Sequence, residues 1–208
     1  EFEDLLFMVK KIVRAVKIPV TVDIESGYSV HLNEMARHVE QLYEVGVAGI
    51  NIEDSSSKNG KVEMDSTDEF CRKLYFLKNY LERKHMKIFI NARTDAYLLQ
   101  LQNSFQITSE RITAYEKAGV DGLFVPYLKK KDEISAIVQS TKLPVNLLAS
   151  EDLPPFHLIS QLGVKRISMG PYAFRYVQNQ FERITKRVIE QHSFAPLYEI
   201  ENQTSIAS

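Results

Sequence analysis

A helix stopped by glycine and followed by a short apolar strand recurs along this chain, and that unit constrains the fold more than any other feature. Gly46-Val-Ala-Gly-Ile-Asn-Ile52 returns as Gly119-Val-Asp-Gly-Leu-Phe-Val125 and, more loosely, as Gly163-Val-Lys-Arg-Ile-Ser-Met169. Lys17-Ile-Pro-Val-Thr-Val22 likewise echoes Lys142-Leu-Pro-Val-Asn-Leu147. Repetition of this kind marks a fold built from one supersecondary unit. Around the repeats, apolar periodicity predicts helices over 3–16, 32–45, 66–84, 108–118, 131–140, 155–162 and 172–191. Ser66 and Glu69 have the spacing of a capping box at the start of the third. Strands are predicted over 18–24, 48–53, 87–94, 122–126, 143–149 and 166–170, with a polar, serine-rich loop at 54–65 and a polar tail after Ser193.

Short strands that are apolar on both faces and alternate with amphipathic helices imply a parallel sheet covered by helices. A doubly wound sheet and a (β/α)8 barrel both satisfy that pattern. No Gly-x-Gly-x-x-Gly or Walker-type loop follows any strand, which removes the usual reason for a dinucleotide-binding sheet and favours the α/β, TIM-type barrel. Such a barrel takes about 250 residues and eight strands. This chain has 208 residues and six predicted strands, and it opens on a helix, so the first two strands are expected to be missing from it. The expected organisation is a barrel domain over 1–192, its last helix at 172–191, and a polar tail over 193–208. Twenty-six Lys and Arg against 27 Asp and Glu give a net charge of −1, which supplies no field to recruit nucleic acid. A single cysteine makes neither an internal disulfide nor a cysteine-based zinc site, and no apolar run reaches the ~20 residues of a membrane span, so a cytoplasmic protein is expected.

Catalytic groups of parallel barrels sit at the C-terminal ends of strands. Three successive strands here end in charge: Asp23-Ile-Glu25, Asn51-Ile-Glu53-Asp54 and Asn91-Ala-Arg93-Thr-Asp95. Side-chain alternation puts Asp23 with Glu25, Asn51 with Glu53, and Asn91 with Arg93. If the strands are neighbours, Asp23, Glu25, Glu53 and Arg93 converge on one mouth. Three gathered carboxylates repel one another unless cations lie among them. Arg93 cancels one charge, and an all-oxygen ligand set selects Mg²⁺ or Mn²⁺ for the rest. An arginine that clamps a carboxylate or phosphoryl group, beside a Lewis acid, suits chemistry through an enolate.

Val22-Asp-Ile-Glu-Ser-Gly-Tyr28, Gly49-Ile-Asn-Ile-Glu-Asp54, Ile90-Asn-Ala-Arg-Thr-Asp-Ala96, Ala118-Gly-Val-Asp-Gly122, Pro144-Val-Asn146 and Arg166-Ile-Ser-Met-Gly-Pro171, in that order, resemble the isocitrate lyase/phosphoenolpyruvate mutase superfamily. The resemblance runs over about residues 1–190. It implies a Mg²⁺-dependent (β/α)8 barrel that makes or breaks C–C or P–C bonds in small keto or phospho-carboxylates through an enolpyruvate-like intermediate. It also implies a homodimer or homotetramer that exchanges its last helix, here 172–191. Carried over by position, Asp23 is the direct metal ligand, Glu25 stands where the superfamily has Asp, and Glu53 holds the ion through water. Arg93 and Glu53 are the expected catalytic residues. Arg93, Asn91, Asn146, Gly27 and Tyr28 are expected to line the substrate.

The departures narrow the chemistry. The lyases carry a Lys-Lys/Arg-Cys-Gly-His loop whose cysteine returns a proton to the cleaved enolate. Here that loop reads Asp54-Ser-Ser-Ser-Lys-Asn-Gly-Lys-Val62, which argues against isocitrate or methylisocitrate cleavage by the usual route. Lys58-Asn59 is either a counterpart of the phosphonomutases' Lys-Thr-Asn gate or part of a solvated loop. Where the lyases have Glu after the sixth barrel strand, this chain has Val125-Pro126. Cys71 falls inside a predicted helix and is expected to be a packed thiol rather than a nucleophile. His31, His38, His85, His157 and His192 show no ligand spacing and are expected at the surface or an interface, and Lys129-Lys130-Lys131 reads as a solvated helix start. Asn202-Gln-Thr204 has the glycosylation pattern only of a secreted protein. A keto-acid hydrolase or decarboxylase, and a non-catalytic barrel with a retained pocket, stand as alternatives to the lyase or mutase reading.

Overall fold

The computed structural model describes residues 1–58 and 60–199, without the side chain of Lys58. The Lys58-Asn59 pair and Asn202-Gln-Thr204 therefore lie outside the described residues. Along the chain run α1 (Phe2–Ala15), β1 (Thr21–Asp23), α2 (Leu32–Glu44), β2 (Gly49–Glu53), β3 (Ser55–Lys58), β4 (Lys61–Met64), α3 (Thr67–Arg83) and β5 (Phe89–Arg93). They are followed by α4 (Ser104–Lys117), β6 (Gly122–Val125), α5 (Lys131–Gln139), β7 (Val145–Leu148), α6 (Phe156–Gln161), β8 (Arg166–Ser168) and α7 (Tyr172–Gln191). The chain divides into two compact units, residues 1–168 and a second from Met169 that contains α7.

Six strands form one parallel sheet in the order β1-β2-β5-β6-β7-β8. Every new strand is added on the same side of the last. A doubly wound sheet would reverse its direction of growth at a switch point, so this order separates the two architectures that periodicity left open. The sheet is also curled. Flat, its edge strands would lie about 24 Å apart at ~4.8 Å per step, yet the Arg166 guanidinium on β8 donates to the Thr21 hydroxyl on β1 at 3.3 Å. The result is the arrangement of a partial TIM-type barrel. Its helical layer packs on the sheet through Met35, Val39 and Leu42 of α2, Phe70, Leu74 and Leu77 of α3, and Ile134 and Ile137 of α5, all buried.

The three repeated glycines end α2, α4 and α6 with φ of +97°, +83° and +90°, a left-handed conformation that glycine adopts without a Cβ penalty. All four residues of β6 and all four of β7 are buried, as expected for strands covered on both faces. The capping box forms: the Glu69 amide donates to Ser66 Oγ, and the Ser66 amide donates to the Glu69 carboxylate. Several strands are shorter than the apolar runs that predict them; β1 excludes Pro19, which has no N–H to give the ladder. The helix expected from 108 begins at Ser104.

The 54–65 segment is the main correction. Instead of a solvated loop it is an antiparallel hairpin, β3 against β4, and both of its roots are buried. Asp54, Ser55 and Asp65 are nearly inaccessible. A polar stretch reads as loop because its patterning carries no apolar period; here the far end of the hairpin is exposed, while the polar groups at its roots are paired with protein partners, Asp54 with Arg111 and Tyr115, Ser55 with Asp95, and Asp65 with Lys73. His38 also departs from the surface reading, since it is half-buried with its ring stacked 3.9 Å from that of Phe2. The other four histidines are exposed. Cys71 is half-buried, and burial, with Asp68 nearby, pushes its thiol pKa up, the opposite of what a nucleophile needs. No described helix is long and apolar enough to cross a membrane.

Candidate active site

The strand register lays the polar residues out in rows. Asp23 of β1 pairs with Asn51 of β2, which pairs with Asn91 of β5. One row further along, Glu53 pairs with Arg93, Arg93 with Phe124 of β6, and Phe124 with Asn146 of β7. In the first row the Asn91 amide donates to Asn51 Oδ1 at 2.9 Å, and the Asn51 amide donates to Asp23 Oδ2 at 3.4 Å. In the second, Arg93 Nη1 lies 2.8 Å from Glu53 Oε2 and 3.7 Å from Asp23 Oδ2. The Phe124 ring sits 5.8 Å from the guanidinium carbon, within cation–π range. Asp23, Glu53, Asn91 and Arg93 are thus brought together, as adjacency of β1, β2 and β5 requires.

The electrostatics show an unequal balance. Glu53 is pushed up to about 7, mainly because it is largely withdrawn from water; Arg93 pulls it down, while Asp95 and Asp23 push it up. Arg93 keeps its charge: burial disfavours it, but Asp95 and Glu53 outweigh that. One guanidinium faces three carboxylates, so the site carries excess negative charge that a cation would relieve.

The other expected residues are placed differently. Glu25 does not join Asp23 on one strand face, because β1 ends at Asp23 and Glu25 turns with φ +50°. Alternation holds only while the backbone stays extended. Its amide donates to Asp23 Oδ1 at 3.0 Å and its carbonyl accepts from the Glu53 amide at 2.9 Å. Its side chain, with Tyr28, borders a neighbouring groove of about 690 Å³ between this turn, the hairpin and α3. Gly27 is buried in the same turn: its amide donates to the Ile24 carbonyl at 2.8 Å and its carbonyl lies 3.3 Å from His38 Nδ1. Asn146 is buried two strands from Arg93, about 10 Å at the usual strand spacing. In the orientation that satisfies both ends of its amide, it donates to the carbonyls of Leu147 and Arg166 and accepts from the Ser168 hydroxyl.

Among the described residues no three His, Cys, Asp or Glu side chains stand close enough to hold a metal ion, so the expected three-carboxylate cluster does not form. Asp23 and Glu53 remain. Two carboxylates with oxygen donors only and an excess of negative charge fit Mg²⁺, which commonly takes one or two carboxylates and completes its shell with water and substrate.

Sequence reasoning gave no role to Phe124, Asp95, Ser55, Asp54 or Arg111. Asp95 and Asp54 stand within the charged strand ends, and the Arg93-x-Asp95 spacing was an available signal for a same-side pair. Arg111 carried none, since it meets Asp54 across 57 residues, Nη1 to Oδ2 at 2.9 Å.

Comparison with known proteins gives a consistent picture. The family model described as phosphoenolpyruvate phosphomutase matches residues 1–189. The chain is 34% identical over 197 residues to the uncharacterized protein Rv1998c of Mycobacterium tuberculosis, covering 89% of this chain and 71% of that protein. It is 33% identical over 148 residues to an oxaloacetate decarboxylase of Rhodopseudomonas palustris, covering 69% of this chain; it spans only about half of that enzyme, 49%. Among solved structures, a provisionally assigned phosphonomutase from Burkholderia cenocepacia J2315 superposes with a TM-score of 0.83 at 32% identity, covering 89% of this chain and 76% of that one. A phosphonopyruvate hydrolase in complex with oxalate and Mg²⁺ shares the fold, with a TM-score of 0.79 at 24% identity over 99% of this chain and 72% of the other. A match over residues 1–189, with a relative at 34% identity, places this chain in the phosphoenolpyruvate phosphomutase family.

Proposed function

We propose that this protein is a Mg²⁺- or Mn²⁺-dependent enzyme that makes or breaks a C–C or P–C bond in a small α-keto or phospho-carboxylate through an enolpyruvate-like intermediate. The observation that carries the reading is Arg93, held beside Glu53 and Asp23 at the C-terminal ends of adjacent parallel strands. In this reading the guanidinium binds the substrate carboxylate, exchanging the Glu53 contact for a charge-assisted fork. Asp23 and Glu53 would hold the ion, with Glu25 on the next turn. When bound, the ion contributes charge stabilisation for the oxyanion that develops as the bond breaks. Asn91 and Asn51 orient the Asp23 carboxylate through their amide chain. Without the ion, burial drives Glu53 up to about 7; a divalent cation beside it would hold it ionised and relieve the cost of burying that charge.

The similarity to oxaloacetate decarboxylases favours a second reading within the same site, decarboxylation or hydrolysis of oxaloacetate or a related keto acid. We also propose a homodimer or homotetramer formed through α7, whose Phe174, Tyr176, Val177 and Phe181 are all exposed.

A thermal melt of the full-length protein with Mg²⁺ and oxalate, an enolpyruvate mimic, tests the site. A stabilisation of about 5–10 °C at a hundredfold excess over Kd is expected, requiring both ligands and abolished by Asp23→Ala. Turnover of phosphonopyruvate, oxaloacetate and branched malates then separates the two readings. No stabilisation and no turnover would leave the non-catalytic barrel.

A further inference from the structure

Arg93 is held from behind. Asp95, two residues on and fully buried, takes one edge of the guanidinium: Nε donates to Oδ1 at 2.6 Å and Nη2 to Oδ2 at 3.2 Å. Ser55, at the root of the hairpin and 1% exposed, donates to Asp95 Oδ2 at 2.6 Å and lies 3.4 Å from Glu53 Oε1. The Asp95 amide donates to Asp54 Oδ1 at 2.9 Å. Asp54 is fixed in turn by Arg111 at 2.9 Å and by the Tyr115 hydroxyl at 2.5 Å. A guanidinium is planar, so once its Nε–Nη2 edge is bonded to a rigid carboxylate, the direction of Nη1 is set. Nη1 is the nitrogen that faces Glu53 and Asp23.

We infer that Asp95, backed by Ser55, is the positioning residue that aims Arg93 into the mouth, so that the arginine meets a substrate carboxylate already oriented. The inference rests on the reading of Arg93 as the carboxylate-binding residue. Asp95 touches no reacting atom; it acts through the guanidinium. Its effect on binding should therefore exist only while residue 93 has a fork to hold, because a lysine ammonium cannot be gripped edge-on.

The test is a double-mutant cycle on oxalate binding, measured by calorimetry on the full-length protein in saturating Mg²⁺. Asp95→Asn is expected to weaken binding about tenfold or more, the usual scale for a lost charge-assisted hydrogen bond, and Ser55→Ala about threefold. In an Arg93→Lys background the same two changes should each cost less than about twofold. A general loosening of the fold would weaken binding equally in both backgrounds, and that additive result overturns the inference while leaving the functional reading intact. If Asp95→Asn does not fold, the Ser55→Ala cycle, which removes a single hydroxyl, gives the same discrimination. Wild-type protein that binds no oxalate overturns the reading of Arg93 and the inference with it.

Discussion

Glu53 and Arg93 pair across adjacent strands, yet neither neutralises the other. Arg93 also serves Asp95 and Asp23, so Glu53 receives only part of its field and is driven up to about 7 by loss of water. Both residues were legible as strand-end charges. The shared use of one guanidinium was not, because it depends on distances between strands. Gly27 illustrates the reverse case, a residue whose role changes once its backbone is seen. Its φ is +110°, and a Cβ built there would lie 2.7 Å from Met35 Cγ, in a side chain that is fully buried. Gly27→Ala is therefore expected to destabilise the protein by about 2–4 kcal/mol, from backbone strain together with overpacking. Urea denaturation measures this, and a loss under about 1 kcal/mol would mean that the β1–α2 turn relaxes around the methyl group.

The hairpin of β3 and β4 is the element whose nature the residue pattern concealed. Its roots are clamped from α4: Arg111 donates through Nη1 to the Asp54 carboxylate and through Nη2 to the Asp65 carbonyl at 2.7 Å. Asp65 in turn accepts from Ser56 at 3.0 Å and pairs with Lys73 of α3 at 2.7 Å. A buried ion pair is costly to form and more costly to break on one side, since the remaining charge has no water. Arg111→Met should accordingly cost about 3–5 kcal/mol, and Arg111→Met with Asp54→Asn should recover part of that loss. Chemical denaturation of the two variants compares them; a double variant no more stable than the single one would show that Asp54 is not the group left uncompensated. By contrast α3 was readable to within a residue or so, because the Ser66–Glu69 capping box and the spacing of Phe70, Leu74, Leu77 and Leu81 are both local.

At the scale of the whole molecule, the same-sided strand order and the reach of Arg166 to Thr21 make the sheet a curled one. The second unit presents a different feature. α7 has twenty residues and none of them is buried, although Phe174 and Phe181 are each about 70% exposed. Monomeric proteins rarely leave large apolar patches in water. Sedimentation of the full-length protein is expected to give a dimer or tetramer, and Phe174→Glu with Phe181→Glu to reduce it to monomer. A wild-type monomer at micromolar concentration would remove the proposed exchange of α7.

By itself the sequence determined the parallel βα architecture, the glycine helix stops, and the charged ends of three successive strands. Those properties are encoded over a few residues, by apolar period, by the conformational freedom of glycine and by position relative to a strand end. Tertiary structure decided which of those charges meet. It put Glu53 and Asp23 on Arg93, turned Glu25 into the neighbouring groove, and buried the polar hairpin root. Each of these outcomes depends on strand register or on partners far along the chain, as with Asp54 and Arg111, 57 residues apart, and no local pattern records such a partner.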